Sequence, residues 1–190
     1  MDAKQIFQTY EPIAATKDRL GKFCSECGAQ FPDEQLTKEF RHCPNCGARQ
    51  FANPTPAVSV LVRKNDQVLL CRRTSTSLGT GQWCLPAGFI EFDEDFLSAA
   101  RREVAEETGL IIEVDKVISV VSNFFNPKIH SLVVVLLANV IGGDMQAGDD
   151  ADAVDWFDPS DLPDLAFEAD EHIIERYFGN TELGVPVQPS

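Results

Sequence analysis

The segment from Gly88 to Leu110 constrains the chain more than any other. Between Asp95 and Thr108, Leu97, Ala100 and Val104 recur at the spacing of one helix face, which suits packing on a sheet. Glu103, Glu106 and Glu107 fall at i, i+3 and i+4, so a helix stacks three carboxylates on a second face. Gly109 follows at the point where a helix ends readily on a residue free to turn left-handed. Three like charges this close repel one another, and no lysine is interspersed among them. Acidic runs are usually solvated faces, so the triple carboxylate alone leaves two readings open, a solvent-facing surface or a cation site. Oxygen-rich clusters suit Mg²⁺ or Mn²⁺. Arg102 is spaced to pair with Glu94 or Glu106 and so to hold the helix in register with the loop before it.

Around this helix the pattern is mostly extended. Ala57 to Val62 and Gln67 to Cys71 are β-rich runs about a turn at Lys64–Asp66, a hairpin signal. Trp83 to Pro86 reads as a short strand, Ile111 to Val121 and Ser131 to Val140 as longer ones, and Trp156–Phe157 opens another short segment. Glu168 to Phe178 reads as a closing amphipathic helix with Ile173, Ile174, Tyr177 and Phe178 on one side. Mixed strands with two principal helices lead to an α+β chain or a three-layer α/β/α sandwich. The longest apolar run, Leu132 to Val140, is too short to span a bilayer and is broken by Asn139. Met1 to Gln5 lead into no apolar core of the kind a secretory leader needs, so the expected location is cytoplasmic.

Six cysteines are present, four of them in two tight pairs, Cys24-Ser-Glu-Cys27-Gly28 and Cys43-Pro-Asn-Cys46-Gly47, with fifteen residues between. Two Cys-x-x-Cys turns joined by a short hairpin supply the four soft ligands that zinc takes in a tetrahedron. The glycine after each pair lets the backbone turn so that amides point at the sulfurs. Paired cysteines in a reducing compartment point to metal rather than disulfides. Residues 21–50 therefore read as a zinc ribbon, structural because four cysteines close it. About 30 residues bury little core, so zinc would supply most of the folding free energy there. Cys71 and Cys84, alone in apolar surroundings, read as small buried hydrophobes. His42 reads as a surface residue, since the fourth ligand is already available. Asn53-Pro-Thr-Pro56 forms a stiff linker.

Acidic residues number 30 against 16 Lys plus Arg, a net charge of −14. That charge opposes long-range attraction to nucleic acid or anionic lipid. It is compatible with a small phosphate-bearing substrate whose site is neutralised by bound cations.

The segment from Gly88 resembles the Nudix box, Gly-x5-Glu-x7-Arg-Glu-U-x-Glu-Glu-x-Gly-U, where U is aliphatic. Gly88, Glu94, Arg102, Glu103, Val104, Glu106, Glu107, Gly109 and Leu110 fill every specified position, and Trp83 to Gly88 resembles the usual approach to the box. The resemblance implies a Nudix α/β/α sandwich with a mixed sheet over residues 55–178, preceded by an N-terminal arm over 1–20 and the ribbon over 21–50, and followed by a C-terminal tail over 179–190. It implies Mg²⁺ or Mn²⁺ held by Glu103, Glu106, Glu107 and the carbonyl of Ala87, with Glu94 and Arg102 in support. The chemistry implied is attack of a metal-activated water on phosphorus. Asp149, Asp150 and Asp152 are candidates for a general base or substrate contact on a downstream loop.

Family members that carry a ribbon resemble NADH pyrophosphatases or the ADP-ribose and FAD pyrophosphatases. Val121 to Lys128 departs from the Ser-Gln-Pro-Trp-Pro-Phe-Pro stretch of the NADH group. Pro127 lies near the proline that ADP-ribose enzymes tend to carry beyond the box. Phe124 and Phe125 are candidates to stack an adenine or flavin, or are core. The expected substrate is a small nucleotide, ADP-ribose or FAD leading. NADH or an NAD cap on RNA is the alternative, and a non-catalytic metabolite-sensing regulator the further one. Many relatives are dimers, which keeps a homodimer in view.

Overall fold

The computed structural model describes residues 6–8, 20–38, 40–74, 78–179 and 184–186. The remainder of the expected N-terminal arm and of the expected C-terminal tail lies outside the described residues. The strands are β1 (Ile6–Gln8), β2 (Phe40–His42), β3 (Arg49–Phe51), β4 (Thr55–Lys64), β5 (Gln67–Arg73), β6 (Trp83–Cys84), β7 (Ala87–Phe89), β8 (Leu110–Asn126), β9 (Ile129–Gly143), β10 (Ala151–Phe157) and β11 (Val185–Pro186). The helices are a single turn α1 (Asp33–Leu36), α2 (Phe96–Thr108) and α3 (Glu168–Gly179). Among the described residues no helix is long and apolar enough to cross a membrane.

The chain divides into two compact units. One holds residues up to Phe7, Pro56–Ser122 and Leu132 onward; the other holds Gln8–Thr55 together with Asn123–Ser131. The first unit contains most of a large sheet ordered β1-β8-β9-β4-β5-β10, with β11 paired to β8, β6 to β5 and β7 to β4. The side-chain period of two explains how this sheet is covered on both faces. Val58, Val60 and Val62 of β4 share a core with Ala99, Ala100 and Val104 of α2. Ala57 and Leu61, offset by one residue, share the opposite core with Ala169, Ile173, Ile174 and Tyr177 of α3. β5 and β9 divide the same way, with Leu69, Leu136 and Ala138 toward α2, and with Val68, Leu70, Val135 and Leu137 toward α3. A strand buried on both sides must read as a nearly continuous apolar run, and Val58 to Val62 does, with the small Ser59 as its one polar residue. Each such aliphatic side chain contributes roughly 1.5–3 kcal/mol on burial. The result is the three-layer α/β/α arrangement.

The local signals acted where expected. The β4–β5 hairpin turns at Asn65–Asp66, with Asn65 at φ 55°, a conformation its short polar side chain tolerates. Asp95 caps α2 by accepting from the N–H groups of Leu97 and Ser98, both at 2.8 Å. Gly109 ends the helix at φ 70°. β8 and β9 run well beyond the expected Ile111–Val121 and Ser131–Val140. They continue because each supplies the other's backbone partners up to the two-residue turn at Pro127–Lys128, where Asn126 Oδ1 accepts the Lys128 N–H at 2.8 Å. Phe124 and Phe125 are therefore strand residues near a hairpin tip, and Pro127 has a turn to make.

Asp170, in the first turn of α3, looks like a solvent-facing acid in the sequence but is buried. Its Oδ2 accepts the Leu85 N–H at 3.0 Å, tying the closing helix to the approach to β7. Burial pushes this carboxyl up to about 7, against the opposing pull of the Leu85 amide and Arg73. The native state thus holds a proton that the unfolded chain gives up near the ordinary value of 3.8. Stability from this group is full below that value and is lost as pH rises toward 7. Asp170→Asn keeps an acceptor for Leu85 and removes the ionisation. Its Tm is expected to exceed that of the parent by several degrees at pH 8, with the difference shrinking toward pH 4. Parallel Tm–pH curves for the two proteins, followed by calorimetry, would contradict this account.

Candidate metal and hydrolytic site

In the larger unit α2 carries its acidic face toward β7. Gly88 is packed so closely that a Cβ there would overlap the Glu103 carboxylate, so any side chain at this position would have to displace that carboxylate. Glu103 and Glu107 are buried, whereas the Glu106 side chain is 48% exposed. Arg102 binds Glu94 through two nitrogens, its Nε meeting Oε2 at 3.1 Å. Its Nη1 reaches Glu103 at 2.8 Å and Glu106 at 3.1 Å, and its Nη2 donates to the Phe89 carbonyl at 3.0 Å. One guanidinium thus joins the helix, the preceding loop and β7. The Arg102 hydrogen bond holds Glu94 below the usual carboxylate range. Burial pushes Glu103 up, although Arg102 opposes it.

Glu107 sits deeper. Its Oε2 accepts the Ala87 N–H at 3.2 Å. Burial first, then the neighbouring charges of Asp150 and Glu103, push its carboxyl up to about 9. Asp150 shares a hydrogen bond with it and is itself fixed from β5. The Thr74 N–H and Oγ1 both donate to the Asp150 carbonyl, at 2.8 and 2.6 Å, and Arg73 Nη2 lies 4.0 Å from Oδ2. Arg73 is anchored in turn by the Leu78 carbonyl at 3.0 Å, and its guanidinium lies 5.2 Å from the centre of the Phe167 ring. Arg73 and Thr74 were not singled out in the sequence. No local pattern marks them, since their partner lies 76 or 77 residues downstream. The carboxylate surplus fits a cation. Glu103, Glu107 and Asp150 adjoin, Arg102 is committed to Glu94 and Glu106 as well, and a divalent ion would relieve the charge that burial leaves uncompensated.

The other sequence candidates are distributed differently. Asp152 lies on β10 in an exposed ion pair with Arg72 at 2.6 Å. Asp149 lies near enough to Glu103 to raise it, at φ 51° in the turn before β10. Phe124 stacks on His130 with ring centres 3.9 Å apart, and both, with Phe125, belong to the smaller unit rather than to the unit of the carboxylates. Cys71 and Cys84 are buried, directly opposed on β5 and β6, and free. Burial pushes both thiols far up, so they are inert neighbours of Glu107.

In the smaller unit the four paired cysteines converge. Among the described residues they are the one set of three or more ligand atoms lying mutually within 4.8 Å. Cys24 and Cys46 sulfurs are 3.6 Å apart, and Cys27 and Cys43 3.7 Å. Sulfurs at roughly 2.3 Å from a central zinc would be about 3.8 Å apart along a tetrahedral edge, whereas a disulfide needs about 2 Å. Gly28 and Gly47 stand at φ 71° and 78°, and each N–H returns to the first cysteine of its pair, both at 2.9 Å. The Ala29 amide, then Asn45, pull the Cys27 thiol down to about 6. Cys46 goes the other way, to about 12: the Ala48 amide lowers it, but Cys27, burial and the other sulfurs outweigh that. Thiolates this close repel, and a central divalent cation removes the repulsion. Around them Phe31, Ala29, Leu36 and Ala48 form a very small core, and His42 is exposed.

A model of the NUDIX domain matches residues 53–177. The ADP-ribose pyrophosphatase of Methanocaldococcus jannaschii is 38% identical over 130 residues, covering 68% of this chain and 76% of that protein. The NAD-capped RNA hydrolase NudC of Pseudomonas aeruginosa is 32% identical over 175 residues, covering 90% of this chain but only 61% of that protein. The crystal structure of a NUDIX hydrolase from Nitrosomonas europaea superposes with a TM-score of 0.70 at 29% identity, over 84% of this chain and 91% of that one.

Proposed function

The chain belongs to the NUDIX hydrolase family, and on that premise we propose that it is a divalent-cation-dependent pyrophosphohydrolase acting on a nucleoside diphosphate joined to a second group, ADP-ribose or FAD first. The observation that carries this reading is the buried pair Glu103 and Glu107 beside Gly88, with the half-exposed Asp150 against Glu107. Glu103, Glu106 and Glu107, with the main chain at Ala87, would hold Mg²⁺ or Mn²⁺. The cations supply an activated water and a charge partner for the diphosphate. Glu94 and Arg102 keep the helix and its loop in register, so that the acid face is formed before substrate arrives. Arg73 and Thr74 keep Asp150 against Glu107, which makes Asp150 the best placed of the loop acids to accept a proton from the attacking water. Asp152 is engaged by Arg72 and is the weaker candidate.

Zinc in the four-cysteine cluster of residues 21–50 completes the reading, as a structural ion with no open position. ADP-ribose is favoured by the 38% identity to the Methanocaldococcus jannaschii enzyme and by the departure of Val121–Lys128 from the stretch expected for NADH. A second reading, NADH or an NAD cap, is supported by the NudC likeness, which extends over 90% of this chain and so includes the cysteine region.

The test is a hydrolysis screen with Mg²⁺ and with Mn²⁺ across ADP-ribose, FAD, NADH, NAD-capped RNA and nucleoside triphosphates. ADP-ribose or FAD is expected to give the highest kcat/KM, with AMP as one product. A preference for NADH or capped RNA selects the second reading. Saturable metabolite binding without turnover selects a sensor.

A further inference from the structure

We propose that the outward face of the β2–β3 ribbon is a docking surface for single-stranded nucleic acid. The two strands pair antiparallel in the register Phe40 with Phe51 and His42 with Arg49. These four side chains alternate with Arg41 and Gln50, so they share one face of the hairpin. The opposite face is occupied. Arg41 is buried, bonds the Leu36 carbonyl at 3.3 Å and lies 5.6 Å from the centre of the Phe31 ring, while Gln50 bonds Ser25 Oγ. The hairpin therefore cannot turn Phe40 and Phe51 inward without exposing Arg41 and Phe31.

What remains outside is a register-matched aromatic pair, stacked with ring centres 5.4 Å apart at 25°, yet 44% and 54% exposed. Scattered exposed apolar side chains are ordinary, but a stacked pair leaves a continuous π surface in water. Beside it stand Arg49 and His42, and none of the six residues of the two strands is a carboxylate. The segment that carries this face is not itself acidic. The first 55 residues hold seven basic and seven acidic side chains, so the entire excess of −14 falls after residue 55. Planar apolar rings flanked by a guanidinium and an imidazole suit unpaired bases on a phosphate backbone. A duplex hides its base faces from such a platform. A second copy of this chain would bring an equal acidic excess of its own.

The experiment is fluorescence anisotropy of a labelled single-stranded oligo(U), roughly twenty nucleotides long, against the full-length chain at low salt, with a duplex of equal length beside it. Saturable binding to the single strand, weaker to the duplex, is expected. Phe40→Ser/Phe51→Ser should weaken it tenfold or more. Phe40→Leu/Phe51→Leu, which keeps the apolar area and removes the rings, should do so with an unchanged Tm. Arg49→Gln should lower the slope of log affinity against log salt by about one. Absence of saturable binding, or leucine variants that bind as the parent does, overturns the assignment. Self-association of the parent that the leucine pair abolishes, without RNA binding, overturns it in favour of a second copy.

Discussion

Glu106→Gln is expected to cut turnover by about a hundredfold or more while leaving Tm within a few degrees of the parent. Glu106 is the most exposed of the three box carboxylates and, among the described residues, its side chain pairs with Arg102 alone, which still has Glu94 and Glu103 to bind. The fold thus loses a surface ion pair worth at most about 1 kcal/mol. The reaction loses a charge that would hold a cation against the diphosphate as its leaving group departs. Steady-state kcat with Mn²⁺ titrated to saturation separates the two effects. A variant that keeps more than about a tenth of the parent turnover at saturating metal removes Glu106 from the site. Glu107→Gln provides the contrast. It is expected to be as inactive, yet to melt higher than the parent in the absence of divalent ions. It deletes an acid that burial, Asp150 and Glu103 push up to about 9, and whose ionisation costs folding stability between its ordinary value and that one.

The second large effect is expected at the cysteines. One zinc per chain should be found by elemental analysis, and Cys24→Ser should lose it. Cys24 is buried in a cluster whose apolar partners are Phe31, Ala29, Leu36 and Ala48. So small a core cannot offset the entropy of ordering the surrounding loops. Ion binding in such modules is worth roughly 10–16 kcal/mol, and in them it is folding free energy. The variant should therefore be cut rapidly by trypsin at Lys22, Lys38 and Arg49 under conditions where the parent is protected. Protection of the variant equal to that of the parent, or a parent preparation free of zinc, would remove the metal from the account of this unit. The thiol values point the same way. Cys27 drawn to about 6 and Cys46 driven to about 12 describe sulfurs that cannot all ionise together without a cation.

Much of the fold and of the site was legible in the chain because it is written in local periodicity. α2 announces itself by its apolar stripe, by Asp95 before it and by Gly109 after it, all within one short segment. Helical spacing puts the three box carboxylates within one turn of α2, and two turns and a hairpin bring the four sulfurs together. The two-sided burial of β4 follows from the run Val58 to Val62, in which Ser59 is the one polar residue. The charge argument was legible but too coarse, because a net −14 does not say that the first 55 residues are neutral.

Other decisions belong to the tertiary structure, and for one physical reason. Desolvation and pairing across long separations depend on what the rest of the chain brings near. Asp170 reads as an ordinary first-turn acid until the sheet buries it against the Leu85 amide, 85 residues away. Asp149, Asp150 and Asp152 are equivalent in sequence. Thr74 and Arg73 single out Asp150, while Arg72 draws Asp152 into an exposed pair. β8 and β9 outrun their apolar patterns because each satisfies the other's backbone groups, and their tip, with Phe124, Phe125 and His130, joins the cysteine unit. Residue spacing determined which groups share a face; only the assembled sheet decided which of them lie out of water, and so which carboxylates would need a cation.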